Sequence, residues 1–155
     1  PAKYYLVVVY GRVNVARGTI DVGLARSRRK RQTVVSNAAS AAPSQTLFER
    51  LRRSKAPRVG LALLGCQLLT GRTHQIRVHL AARGWPIVGD TKYGKRLWTE
   101  IEDPRLSTVL QAFPRQALHA WRVSFPHPVA HTRLVCEAAV PEDFEQLLKD
   151  ANLVK

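Results

Sequence analysis

The chain has no methionine, only two cysteines, and 11 acidic residues set against 25 basic ones. Each shortage narrows what it can be. Cys66 and Cys136 each lie inside a strand-like apolar run and are too few for the disulfide framework of a small secreted domain. They read as buried free thiols in a reducing, cytoplasmic setting rather than as a bridge. No apolar run approaches the roughly 18 residues of a membrane-spanning helix, and no basic segment carries a broad apolar face, so neither spanning nor interfacial binding is indicated. No secretory signal is visible, although a truncated start would hide one. With 45% hydrophobic residues among 155, the chain can bury one sizeable core without cross-links. The formal charge of +14 favours a polyanion, through attraction and through release of its counterions, and nucleic acid is the natural candidate. The lack of methionine, together with an opening at Pro1 that enters a strand-like run almost at once, is what a truncated or processed chain would show.

What is present is concentrated in Thr70-Gly71-Arg72-Thr73-His74-Gln75-Ile76-Arg77-Val78-His79-Leu80, followed by Gly84-Trp85-Pro86-Ile87-Val88-Gly89-Asp90 and Tyr93-Gly94. Thr73 can cap a helix, and Gly84 and Pro86 can stop it, which predicts a helix from His74 to Arg83. Ile76 and Leu80 share one face of that helix, His74 and Arg77 another, and Gln75 and His79 are four apart. A polar, basic helix is most often a solvated surface. The alternative is that these hydrogen-bonding tips hold something outside the protein. His74 and His79 are five apart, about 140° around a helix, so they cannot share one zinc ion and no metal is expected here. Arg72, Arg77 and the unpaired N–H groups of the first turn all suit an anion such as phosphate.

Residues 3–10 are rich in aromatic and β-branched types and predict a strand. Residues 26–43 begin with Arg26, Arg28, Arg29, Lys30 and Arg31 and continue as an Ala/Ser-rich run without usable periodicity, which predicts a flexible basic loop. Such a loop is either merely solvated or an RNA contact that orders on binding. Residues 45–53 and 58–70 predict two more strands, the second apolar and central, so the polar cluster is mounted on a rigid strand end. A short helix is expected at 105–112, strands at 117–125 and 132–139, and a C-terminal helix with Pro141 in its first position, acids in its first turn and Lys149 near its end. These elements make a mixed α+β domain on a largely antiparallel sheet with a few flanking helices.

The run from Thr70 to Gly94 resembles the RluA-type pseudouridine synthases, which convert uridine to pseudouridine in ribosomal or transfer RNA. Lys3-Tyr4-Tyr5 with Gly11, Gly18-Thr19-Ile20-Asp21 to Arg26, Arg115-Gln116-Ala117-Leu118-His119-Ala120 and Pro126-His127-Pro128 are similar to further blocks of that family, so the likeness covers nearly the whole chain. It implies the pseudouridine synthase fold, with a cleft across the central sheet, no metal and no organic cofactor. It also implies that Tyr5 stacks on the target uracil, although from the residues alone Tyr5 would be a core tyrosine. Arg77 matches the arginine that pairs with the catalytic aspartate. Arg72 and His74 are implied to support RNA or the wall of the site, and Gln75 to brace the turn. His119 and Asp90 read as structural, Asp90 as a turn former.

The family's nucleophile lies in an Arg-Leu-Asp motif followed by Thr-Ser-Gly, and nothing in residues 1–155 matches it. The resemblance therefore implies the C-terminal portion of a catalytic domain, inactive alone, with Arg77 lacking its main partner. The wording of the blocks looks closer to enzymes of large-subunit ribosomal RNA than to those of transfer RNA. Two other readings stay open: a non-catalytic RNA-binding or ribosome-assembly protein that keeps the cleft, and an ordinary basic protein-interaction domain.

Overall fold

The computed structural model describes residues 1–56 and 58–154. In chain order its elements are β1 (Ala2–Tyr10), β2 (Arg17–Asp21), β3 (Leu24–Ser27), β4 (Gln32–Val35), β5 (Gln45–Arg53), β6 (Leu61–Leu68), α1 (Gln75–Ala82), a 3₁₀ turn (Leu97–Glu100), α2 (Pro104–Ala112), β7 (Leu118–Pro126), β8 (Arg133–Glu137) and α3 (Glu142–Asp150). Six strands form one antiparallel sheet in the order β2-β5-β6-β1-β7-β8, with β3 and β4 as a separate hairpin. The chain thus has the α+β architecture expected, with the apolar β6 and β1 at its centre.

Those two strands are the most apolar where both of their faces are covered, in the second half of β1 and the first half of β6. Val7, Val8 and Val9 are fully buried, as are Ala62 and Leu64 opposite them. On one face, Thr46 and Phe48 of β5 meet α1 and the turn after it: Thr46 bonds His79, and the Phe48 ring lies edge-on to Trp85. On the other face, Phe144 of α3 packs beside His119 of β7. Burying apolar surface on both sides at about 25 cal/mol per Å² is the main source of stability for such a sheet. Two bulges break its regularity, one in β5 between Arg50 and Arg52 and one in β7, where Trp121 is the extra residue between the partners of Tyr4 and Tyr5. A bulge re-aims the side chains beside it, and this one sits at Tyr5.

Several local expectations are corrected. Residues 26–43 are not one loop. Leu24, Ala25, Arg26 and Ser27 pair with Gln32 to Val35, and a Leu24–Ala42 bridge ties the following segment back. The charges at Arg28, Arg29, Lys30 and Arg31 form the hairpin turn and mask two short strands, whose alternation is carried by buried Leu24 and Thr33. Thr73 does not cap α1. His74 occupies that position in a left-handed conformation (φ 55°) with no side-chain cap. α2 begins one residue earlier than expected, because Asp103 accepts from the Arg105 N–H and Pro104 needs no donor. Pro141 is the cap of α3 rather than its first residue. Cys66 is buried, but Cys136 is exposed, because β8 is an edge strand with every residue open. Among the described residues, no helix is long and apolar enough to cross a membrane.

Candidate nucleic-acid site

β6 ends at Leu68, and the chain turns through Thr70 to Thr73 into α1, which lies back over one face of the sheet. A relay of hydrogen bonds holds this turn. The Gln45 N–H donates to Thr70 Oγ1 (2.9 Å), whose hydroxyl donates to Gln75 Oε1 (2.7 Å). Gln75 Nε2 donates to Gln45 O (2.9 Å) and to Thr46 Oγ1 (3.0 Å). Thr46 and His79 Nδ1 are 2.9 Å apart, and His79 Nε2 is 2.9 Å from the Val22 carbonyl. A carbonyl only accepts, so Nε2 carries the proton and Nδ1 accepts from Thr46. Every polar tip in the chain of bonds from Gln45 to Val22 thus has a partner, as burial demands. Gln75 is 2% exposed and spends its side-chain bonds on bracing this turn, at the wall of the cleft described below.

Burial pushes the His79 imidazole below its ordinary range, against the pull of the Val22 carbonyl, and leaves it neutral. His74 is also held low, first by its own desolvation and then by the charges of Arg77, Lys92 and Arg26, with Asp90 opposing. A neutral His74 can accept at Nδ1 from the Tyr93 hydroxyl, 2.9 Å away, while the Thr33 N–H donates to the same hydroxyl (3.3 Å). Tyr93 therefore joins the basic hairpin to the start of α1.

Arg77 is not without a partner. Its Nε and Nη2 donate to Asp90 at 2.8 and 2.9 Å, and Asp90 Oδ1 also accepts the N–H groups of Lys92 and Tyr93. Burial pushes the Asp90 carboxyl up, but these donors outweigh it and hold it below the usual carboxylate range. The Tyr93 ring lies 4.9 Å from the Arg77 guanidinium carbon. Asp90 is thus a turn former, as expected, and also the counter-ion of Arg77. The sequence carries no local signal for that pairing, because the two residues lie on different elements and meet only when Gly89, at φ 77°, turns the chain back.

Tyr5, Arg72, His74 and Arg77 come together around a cleft of about 270 Å³, closed by Leu68, Gln116 and Leu118. Among the described residues, no carboxylate lines it. Arg26 lies beyond Arg72, and Arg28, Arg29, Lys30 and Arg31 are exposed on the hairpin turn rather than in the cleft. A larger concavity, about 510 Å³, lies at the opposite end of β5 and β6, where Arg53, Lys55 and Arg58 face Glu100, Glu102 and Asp103. Its mixed charge does not single out an anion.

An antiparallel sheet that presents a tyrosine and a fixed arginine in a cation-rimmed cleft defines an anion-receptive α+β module. The chain belongs to the RNA pseudouridylate synthase family, whose model matches residues 1–82. It is 37% identical over 149 residues to a ribosomal large subunit pseudouridine synthase D of Nitrosomonas europaea, covering 95% of this chain and 40% of that protein. It is 38% identical to the protein of the same name from Pseudomonas aeruginosa, covering 95% of this chain and 44% of that one. The chain therefore spans less than half the length of these curated relatives. Human RNA pseudouridylate synthase domain containing 1 superposes with a TM-score of 0.70 at 26% identity, covering 96% of this chain and 58% of its own. The fold is that of the pseudouridine synthases.

Proposed function

We propose that this chain carries the tyrosine and arginine side of an RNA pseudouridine synthase site, acting in the cytoplasm on uridine in structured RNA, and on large-subunit ribosomal rather than transfer RNA. The observation that carries this reading is the convergence of Tyr5 and Arg77 on one cleft, with Asp90 clamping the arginine from behind. The rRNA preference rests on the printed names of the relatives from Nitrosomonas and Pseudomonas.

The isomerisation breaks the bond between uracil N1 and ribose C1′, turns the detached base and joins C5 to C1′. C5 loses its proton and N1 gains one, so nothing is oxidised or reduced. The base must be held while free, which a stacked ring at Tyr5 serves. Reaching a nucleotide in folded RNA costs a few kcal/mol of unstacking, which stacking and phosphate contacts offset. Arg77 uses Nε and Nη2 on Asp90 and keeps Nη1 for a group in the cleft. On the family resemblance that group is the nucleophilic aspartate, which residues 1–155 do not provide: Asp21 is exposed on β2 and bonded by Gln45, and Asp90 is occupied by Arg77. On this reading the chain alone forms no pseudouridine.

The test is Arg77→Lys in a protein that also contains the Arg-Leu-Asp segment, with pseudouridine counted in ribosomal RNA. The variant stays folded and loses roughly a hundredfold or more of the rate, because a point charge cannot replace a planar fork held at two points. Near-normal yield overturns the assignment. A cleft lining without a carboxylate favours, as the second reading, an RNA binder without catalysis; retained RNA binding with no pseudouridine in the unsubstituted protein would select it.

A further inference from the structure

Beside the cleft, and separated from it by Arg72, lies a second notch of about 360 Å³ between the β3–β4 hairpin and the turn before α1. Arg26 and Thr33 line it from the hairpin, and Gly71, Arg72 and Thr73 from the turn. Among the described residues no acidic one borders it, and the field of Arg26 reaches His74 on the cleft side. Arg72 has only a long bond of 3.4 Å from Nε to the Pro43 carbonyl, and its remaining guanidinium donors are uncommitted.

Gly71 supplies an independent observation. Alone among the glycines of the described residues, it has neither a left-handed backbone nor any atom within 4 Å of where a Cβ would sit. Gly84 has the same open space but needs glycine for its φ of 79°, and the others crowd a neighbour or lie in ordinary contact with one. Nothing inside the chain requires the side chain at 71 to be absent. The open space leaves the backbone there accessible to a group approaching from outside.

We infer that this notch is a seat for one phosphodiester of the RNA chain, next to the nucleotide in the cleft, held by Arg26 and Arg72 and by the Thr73 hydroxyl against the bare backbone of Gly71. This rests on the reading of the protein as an RNA-acting one. It assigns the notch a role separate from the chemistry: it sets the register of the strand, so that the neighbouring base enters the cleft.

The test uses the full chain with two probes, inorganic phosphate and a ten-nucleotide oligouridylate. Phosphate titrated into the protein is expected to move the backbone amide resonances of Gly71, Arg72 and Thr73 ahead of all others. Gly71→Val, with Gly71→Ala as the milder variant, should keep the thermal midpoint of the parent, since the space is open and the backbone ordinary, yet lose that response and bind oligouridylate about five- to tenfold more weakly. Arg26→Ala should flatten the slope of log affinity against log salt by about 0.7, the loss of one phosphate contact on a single strand. Oligouridylate binding that is unchanged in Gly71→Val, or phosphate shifts that fall elsewhere, would overturn the notch while leaving the RNA reading intact. A protein that binds phosphate in the notch but no oligouridylate would overturn the assignment to RNA. Failure to form pseudouridine by a protein that also contains the Arg-Leu-Asp segment, with the notch responses intact, would count against the catalytic reading alone.

Discussion

Two arginine–aspartate pairs in this molecule have the same chemistry and almost the same geometry, and differ in where they sit. Arg77–Asp90 closes at 2.8 Å with side chains 13% and 1% exposed, whereas Arg115–Asp143 closes at 2.8 Å with side chains 36% and 37% exposed. Both are forked, Nε and one terminal nitrogen meeting both carboxylate oxygens. Bond length therefore says little about what either pair does. A buried pair is held because separating it strands a charge, while an exposed pair competes with water at every moment. Arg115–Asp143 ties the segment before β7 to the start of α3, and Arg77–Asp90 sets the plane of a guanidinium at the cleft.

Asp90→Ala should produce the largest change. It leaves Arg77 partly buried and unpaired and releases the Lys92 and Tyr93 N–H groups, at a cost of about 3–5 kcal/mol read from denaturant unfolding. A loss below about 1 kcal/mol would make the two pairs equivalent. Thr46→Val should come next. It removes the hydroxyl that accepts from Gln75 and donates to His79, leaving two buried groups short of a partner, at about 1–3 kcal/mol.

Acid should separate the groups further. His74 and His79 are held below their ordinary range, so as pH falls through about 6.5 the unfolded chain takes up protons first. Their contribution is complete above that pH and is lost below it, which denaturant midpoints between pH 7.5 and 5 will follow; His79→Gln should flatten the slope. The depressed Asp90 acts lower, its contribution present above about pH 4 and lost as pH falls through its folded value. Asp143→Ala should give the smallest effect, under about 1 kcal/mol and shrinking with added salt.

Legibility followed how local the physics is. The strands β1, β5 and β6 were readable because their apolar and β-branched residues declare a buried sheet within a few positions. The basic turn of the hairpin hid β3 and β4, because five charges in six residues outweigh the two residues that bury there. Asp90 looked like a turn former because its partners at Lys92 and Tyr93 are local, and its bond to Arg77 is not. Nothing in the sequence marks Tyr93 as an individual residue, since a tyrosine in a loop has no pattern around it. Its ties to Thr33, His74 and Arg77 run through space.

By itself the sequence determined the α+β class, the positive charge and the family, because hydrophobic alternation, composition and a 25-residue motif are properties of residues in order. Only the tertiary structure decided that Arg77 is clamped by Asp90, that Gln75 and His79 belong to one buried relay, and that Arg26 and Arg72 face one notch. Each of those depends on which distant atoms come within hydrogen-bond reach, and below about 3.5 Å a contact is set by the packing of the whole sheet rather than by any stretch of chain.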